Sequence, residues 1–588
     1  MAYSKGGKGT RVRPVRKKME LVSDPSCDKF MTSPPMIAAA NLLDRCGFSD
    51  MINERADWDP VQCKITPGDG AKAMVIGMFL NKDRPVVSGV AEIFRWAPVD
   101  VLFDSVSQHT DLGRNTLSRV LDKIYDAGPS SMFRSFADNA RTMFDVIPRF
   151  IHSDTTTVSV EGAYLPDEVP DDDDDDDDDP VEITYGYSKD KRPDLKQYTL
   201  GYAVDENGLL MEAQILDGNC SDIEWNRKCI DSMEDTMRSL GLVYVADSKL
   251  ADISLLKRMV SSGRLFLTRC PANFGNCLEA SVLREVKIEA MTEIEPASTV
   301  KNATKRKIWE TVRTVDRTDL RVIVVKSSSM DGKGDNAVLK DREKADELMK
   351  KFVTEYNCEA DAKKFFGKLE KKISKTIFDV TAEFSSRTVE ERPRGRPRQD
   401  GKDIMRRKTW DVNVTLTMNA EKAELLRRTS EMYVLISNVP SKDTDPEKGM
   451  SAEELVHLYS GQWRVEGMFK TVKTPALADG LYLKTPQRAE ALLFLINTAV
   501  LLRGLMQLLF RREVAKIPDE ELPRYGHWNG KLQRNVTAEY FIQHNQGCPI
   551  VINSSAGTYR FADEAAKGTQ MTIFFMGLLG IKAGEFFG

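Results

Sequence analysis

At Arg149 the hydrophobic period of this chain changes, and that change constrains the fold more than any other feature of its 588 residues. Upstream, apolar residues recur at helical spacing in "PPMIAAANLLDRCGF", "GDGAKAMVIGMFL" and "TLSRVLDKIYDAG", which predicts separate amphipathic helices from about 35 to 148. Downstream, "RFIHSDTTTVSV" reads as a strand, and "YTLGYAVDENGLLMEAQIL" reads as two strands joined by an Asn-Gly turn. A helix from about 222 to 239, the strand "LVYVAD", a helix to about 261 and the strand "RLFLTR" complete the order β-β-β-α-β-α-β. A meander feeding a parallel crossover has few ways to close.

That order is the ribonuclease H-like arrangement. After Arg269 the sheet pattern is interrupted for about 160 residues by strands such as "KRKIWETVRTV" and "RVIVVKS", a charged helix from about 337 to 378, and the extended segment "RPRGRPR". The strands "TWDVNVTLTMN" and "MYVLISNV" lead back to the core. The predicted fold class is therefore an α/β ribonuclease H-like catalytic core with a long insertion domain, preceded by an all-α N-terminal domain and followed by a helical C-terminal region. The expected boundaries are a basic arm over 1–20, a helical DNA-binding domain over 21–148, core over 149–270, insertion over 271–430, core again over 431–484, and the C-terminal region over 485–588. The most apolar run, "ALLFLINTAVLLRGLMQLLF", is broken by Asn497 and Arg503, which predicts a buried core helix and no membrane span.

Charge separates the partner classes. Nine of the acids form the single run Asp171–Asp179, and setting those nine aside turns the formal charge of −5 into +4. That run reads as a solvated, self-repelling loop between strands. The remaining basic residues cluster, as in Lys5, Lys8, Arg11, Arg13, Arg16, Lys17 and Lys18, which suits a nucleic-acid partner. The nine cysteines show no C-x-x-C pair, which argues against zinc ribbons and fits a reducing cytoplasm. The first 19 residues are basic with no apolar run after them, so no signal peptide is expected.

Three carboxylates fall at topologically special places. Asp154 lies in the first strand, Asp247 at the C-terminal end of the fourth, and Glu466 on the helix after the insertion. Strand ends of an open α/β sheet converge on ligands, and two Asp with one Glu form a hard oxygen cage for Mg²⁺ or Mn²⁺. A pair of such ions activates a water or a 3′-OH and stabilises the leaving oxygen in phosphodiester cleavage. Each residue has an ordinary alternative: Asp154 as a strand-end Asp bonding neighbouring hydroxyls, Asp247 as the N-cap of the next helix, Glu466 as a solvated helical Glu. On one ideal helix, Tyr459, Glu466 and Lys473 form a stripe within roughly 40°, with Leu458, Val465, Phe469 and Val472 to one side and Trp463 and Lys470 to the other. Glu466 then sits at the rim of a buried face.

These segments resemble the DDE transposases of prokaryotic insertion sequences, in the superfamily marked by a Y-R-E-K signature on the glutamate helix. The signature Y-x2-R-x3-E-x6-K is met by Tyr459, Glu466 and Lys473, with Gln462 where the family has Arg. "HSDTTTVSVEGAY", "YVADSKLADISLLKRM" and "YGYSKDKRPDLKQYTLGYAVDENGLLMEAQILDGN" resemble the stretches around and between the two aspartates. The resemblance implies cleavage of the element's terminal inverted repeats and joining to target DNA, with Asp154, Asp247 and Glu466 holding two Mg²⁺ ions and Mn²⁺ able to substitute. It implies that Tyr459 and Lys473 contact end DNA. Gln462, Trp463 and Lys470 on the same stretch are further DNA-binding candidates. Arg464 lies about 200° around the helix from Gln462 and is not expected to replace the missing guanidinium. "RPRGRPR" resembles an AT-hook core, so Arg394 and Arg396 are candidate minor-groove residues, with a basic linker as the alternative. The basic segment "SKDKRPDLKQ" either approaches DNA near Asp154 or is a loop held by its own charge pairs. A homodimer on DNA, in the cytoplasm at the nucleoid, is expected. The alternatives are a catalytically idle DNA-binding descendant and a metal-dependent nuclease without strand transfer.

Overall fold

The computed structural model describes residues 30–80, 87–160, 181–295, 304–391, 405–472, 485–525, 530–531, 534–545, 550–553, 558–561 and 567–581. The basic arm, the Asp171–Asp179 run, Arg394, Arg396 and Lys473 lie outside them, as does the side chain of Lys470. The chain divides into two compact units, one built from 1–246 with 461–588 and the other from 247–460.

In the first unit the upstream helices form as their periodicity predicts. In Arg114–Asp126, Leu117, Val120, Leu121 and Ile124 are the buried stripe, the i, i+3, i+4, i+7 pattern of a one-faced helix. Pro67–Leu80 is buried along its whole length. It packs, with Arg114–Asp126 and Pro129–Met143, on the long C-terminal helix Pro486–Val514. That long helix is apolar enough to cross a membrane by length and composition, yet 78% of its apolar window is buried within the protein. The two residues that break the run explain why it belongs there. Arg503 donates to the carbonyl oxygens of Phe79 (2.6 Å) and Met78 (3.3 Å) at the end of Pro67–Leu80, satisfying carbonyls that a helix end leaves without partners. Asn497 Oδ1 accepts from the Tyr202 hydroxyl at 2.5 Å.

The sheet of this unit contains β1 (Phe150–Val160), β2 (Lys196–Asp205), β3 (Leu210–Leu216) and β4 (Val243–Ala246), in the order β3-β2-β1-β4. β2 is antiparallel to β1 and to β3, and β4 is parallel to β1 with His152 opposite Val245. The β2–β3 turn is closed by the Asp205 carboxylate, which accepts from the amides of Asn207 (2.8 Å) and Leu209 (2.7 Å), while Gly208 supplies φ +79°. The expected helix near 222–239 is two helices, α1 (Asp222–Ser232) and a shorter Glu234–Leu240. The Glu466 helix is α2 (Trp463–Val472), and the long C-terminal helix is α3 (Pro486–Val514).

In the second unit, β5 (Leu265–Arg269), β6 (Thr292–Ile294), β7 (Arg306–Val315), β8 (Thr318–Ser327) and β9 (Met432–Ser437) lie in the order β5-β9-β8-β7-β6. β6 to β8 fall within the stretch read as interrupting the sheet, but they extend it, because β9 pairs with both β5 and β8. The continuous apolar run in "RVIVVKS" does not name the strand it pairs with. A smaller module between β8 and β9 has its own core of Ala345, Leu369, Ile373, Phe378, Val380 and Ala423. There the expected charged helix over 337–378 is two helices, Lys333–Lys350 and Glu359–Ile373, separated by the short strand Glu355–Tyr356.

Candidate metal and DNA site

β1 presents alternate residues to opposite faces of its sheet. Ser153 and Thr155 face α1: Trp225 Nε1 donates to Ser153 Oγ at 2.9 Å, and the Thr155 hydroxyl donates to the Asp222 carboxylate. Asp154 is on the other face, opposite Tyr202 in the β1–β2 ladder. Tyr202 stacks on Phe469 of α2 at 5.3 Å between ring centroids. Asp154 therefore shares the sheet face that α2 covers. Val465 and Phe469 are buried, while Glu466 between them is exposed, which places its carboxylate at the rim of the apolar stripe, as the sequence predicts.

The stretch expected as one helix is divided. Ala452–Tyr459 ends, Ser460–Gln462 makes a 3₁₀ turn, and α2 begins at Trp463. The stripe drawn through Tyr459 and Glu466 on one ideal helix is therefore corrected. Gly461 accounts for the break: it is a poor helix former, and a Cβ there would lie 2.0 Å from Arg464 Nη1 and 2.8 Å from His152 Nε2. Gln462, half-buried, ends the turn, and Trp463 is 65% exposed. The Arg464 guanidinium lies over the Trp463 ring at 5.1 Å and reaches back to the Gly461 carbonyl at 3.4 Å. Arg464 is thus occupied on its own turn.

His152 is fully buried on the Asp154 face, and neither ring nitrogen has a hydrogen-bond partner among the described residues. Burial, and then the nearby Arg464 guanidinium, push its pKa down to about 3. Between about pH 3 and the ordinary value of 6.5 the unfolded chain binds a proton that the native state excludes, so this residue makes stability rise with pH across that window. His152→Leu should remove that contribution, so its stability relative to wild type should grow as pH falls from 6.5. Urea unfolding over a pH series checks this; parallel pH profiles would mean that the native state accommodates the charged ring.

Lys189 supplies the cation nearest Asp154 among the described residues. Its Nζ lies 3.7 Å from Asp154 Oδ1 and 3.1 Å from Asp222 Oδ1, and donates to the Thr155 carbonyl at 2.9 Å. Its backbone amide donates to Thr157 Oγ1 at 2.9 Å. Further along the same loop Arg192 pairs with Asp194 at 2.8 Å, so the segment "SKDKRPDLKQ" both reaches Asp154 and holds itself by charge pairs. The sequence signalled the loop by its basic composition; nothing in it singled out Asp222.

In the second unit Asp247 is an N-cap. Its Oδ1 accepts from the Lys249 amide at 2.9 Å, starting the 3₁₀ turn Ser248–Leu250, while the following helix Ile253–Ser261 is capped by Asp252. The Asp247 carbonyl accepts from Thr268 Oγ1 at 2.6 Å. Tyr459 is half-buried, its ring 6.1 Å from that of Tyr433, over which the Arg269 guanidinium lies at 5.9 Å. Among the described residues no three His, Cys, Asp or Glu side chains gather closely enough to hold a metal ion. The donor chemistry at Asp154 nonetheless suits a hard cation, since carboxylate oxygens already face an ammonium there.

Comparison with known proteins bears on the same segments. A family described as "Transposase DDE domain" matches residues 149–502, more than half of the chain, and a domain of unknown function, DUF4277, matches 36–138. No curated protein matches. A solved structure described as a piggyBac transposase synaptic complex with hairpin DNA aligns over 88% of this chain and 82% of its own, at 8% identity and TM-score 0.35.

Proposed function

The chain belongs to the DDE transposase family, and from that premise we propose that it binds the terminal inverted repeats of its own insertion sequence, cleaves the ends, and joins the 3′-OH to target DNA. The observation that carries this reading is that α2, the helix of the exposed Glu466, packs on the sheet face that carries Asp154. Asp247 supports it by chain position: it follows the last residue of β4, the parallel neighbour of β1.

In this reading Asp154, Asp247 and Glu466 would hold two Mg²⁺, with Mn²⁺ able to substitute; bound there, the ions would activate the attacking hydroxyl and stabilise the leaving oxygen. Asp154 is held by its strand, and Asp247 by its capping bond. Glu466 is fixed by the buried residues Val465 and Phe469 beside it. Tyr459, Gln462, Trp463, Lys470 and Lys473 face the end DNA, while Arg394 and Arg396 enter a minor groove. The protein acts as a homodimer on DNA, at the nucleoid in the cytoplasm. Gln462 in place of arginine favours a second reading, a DNA-binding descendant without catalysis. The test is Mg²⁺-dependent nicking of a duplex carrying the element's terminal repeat, followed by joining to a plasmid. Binding without nicking would establish the second reading, and nicking without joining would make the protein a nuclease.

Gln462 also gives a graded prediction. A neutral amide offers a phosphate one or two hydrogen bonds but neither charge nor a planar fork. Gln462→Arg should strengthen end binding by on the order of 1 kcal/mol and steepen the salt dependence by roughly one counterion. Affinity for terminal-repeat DNA across a salt series measures both. Unchanged affinity and slope would show that position 462 does not face phosphate.

A further inference from the structure

The Lys189 ammonium stands where a metal ion bound to Asp154 would compete with it. It lies 3.7 Å from Asp154 Oδ1, 3.1 Å from Asp222 Oδ1 and 2.6 Å from Thr155 Oγ1. Its side chain is 30% exposed and those of Asp154 and Asp222 are 25% and 27% exposed, so the cluster is sheltered but open to exchange with solvent. The backbone of Lys189 is fixed to β1 through Thr157. The side chain can therefore swing while its root stays in place. Next to it the loop carries Tyr185 and Tyr187, 59% and 87% exposed, with Lys191 and Arg192 following in sequence. Exposed aromatic and basic residues together are what a nucleic-acid backbone and its bases engage.

We propose that Lys189 is a positioning residue of the active site, the counter-charge that holds the Asp154–Asp222 pair before metal binds and that moves onto a DNA phosphate once metal is bound. The proposal rests on the metal assignment of Asp154 made above. Two cations close to one carboxylate repel, so metal and ammonium exclude each other there. The freed ammonium is then a contact for DNA, which makes metal binding and DNA binding reinforce each other.

The test is calorimetric titration of Mn²⁺ into DNA-free wild type, Lys189→Met, Lys189→Gln and Asp154→Asn. Lys189→Gln keeps a donor for Thr155 without the charge and carries the test if Lys189→Met does not fold. The Lys189 variants should bind Mn²⁺ at least about fivefold more tightly than wild type. Their affinity for a short duplex should lose roughly one counterion of salt dependence in Mn²⁺ and none in EDTA. Unchanged Mn²⁺ affinity in both Lys189 variants, with binding lost in Asp154→Asn, would overturn the role of Lys189 and leave the metal site intact. Wild-type Mn²⁺ binding by Asp154→Asn would overturn the metal assignment itself.

Discussion

Asp154→Asn, Asp247→Asn and Glu466→Gln should each lower Mg²⁺-dependent nicking of terminal-repeat DNA by on the order of 10³-fold or more, while end binding measured in EDTA stays within about twofold of wild type. The separation follows from what each carboxylate does besides ligation. Glu466 is exposed, so an isosteric amide costs the fold little. Asp154 accepts from the amide of Thr155 at 2.8 Å, and asparagine keeps that acceptor. Asp247 caps the turn Ser248–Leu250, and Asn is as good an N-cap as Asp. Alanine at 247 would mix a lost cap with a lost ligand, so the amide is the informative change. What all three amides remove is the anionic oxygen that a divalent cation needs. Retained nicking in any one of them would remove that residue from the site, and lost binding in all three would mean that the carboxylates serve the fold.

The same residues show what could be read from the sequence alone. The order of elements from Phe150 to Arg269 is set by local signals, namely short strand-like runs, the helical stretches between them and an Asn-Gly turn, and that order survives into the structure. The rim position of Glu466 is also local, because Val465 and Phe469 mark the buried side of its helix whatever packs there. Pairing is not local. That β9 would lie between β5 and β8 depends on which edges meet, and nothing in "MYVLISNV" names its neighbours. The need for glycine at 461 is non-local too, since part of the crowding that a Cβ would meet comes from His152, more than 300 residues earlier. Lys189 and Asp222 were hidden for the same reason: a lysine in a basic loop and an acid at a helix start acquire meaning only when β1 brings Thr155 between them.

Gly201→Ala should destabilise the first unit by about 2 to 3 kcal/mol, the cost of overpacking a filled core. Gly201 lies on β2 opposite Thr155, and a Cβ there would fall 2.4 Å from two ring carbons of Trp225. The ring has nowhere to retreat, being 1% exposed, and its Nε1 donates to Ser153 Oγ at 2.9 Å. An added methyl must push the indole off Ser153 or push β2 away from α1. Either movement reaches β1 at the residue next to Asp154, so nicking should fall along with stability. Trp225→Leu in the Gly201→Ala background tests the cause. Alone, Trp225→Leu should destabilise by opening a cavity; together, the methyl occupies part of that cavity, and the two costs should fall short of additive by about 1 kcal/mol. Urea unfolding of the four proteins gives the cycle. Additive losses would show that the methyl and the indole do not meet, and near-wild-type stability of Gly201→Ala would show that β2 can shift freely beneath the site.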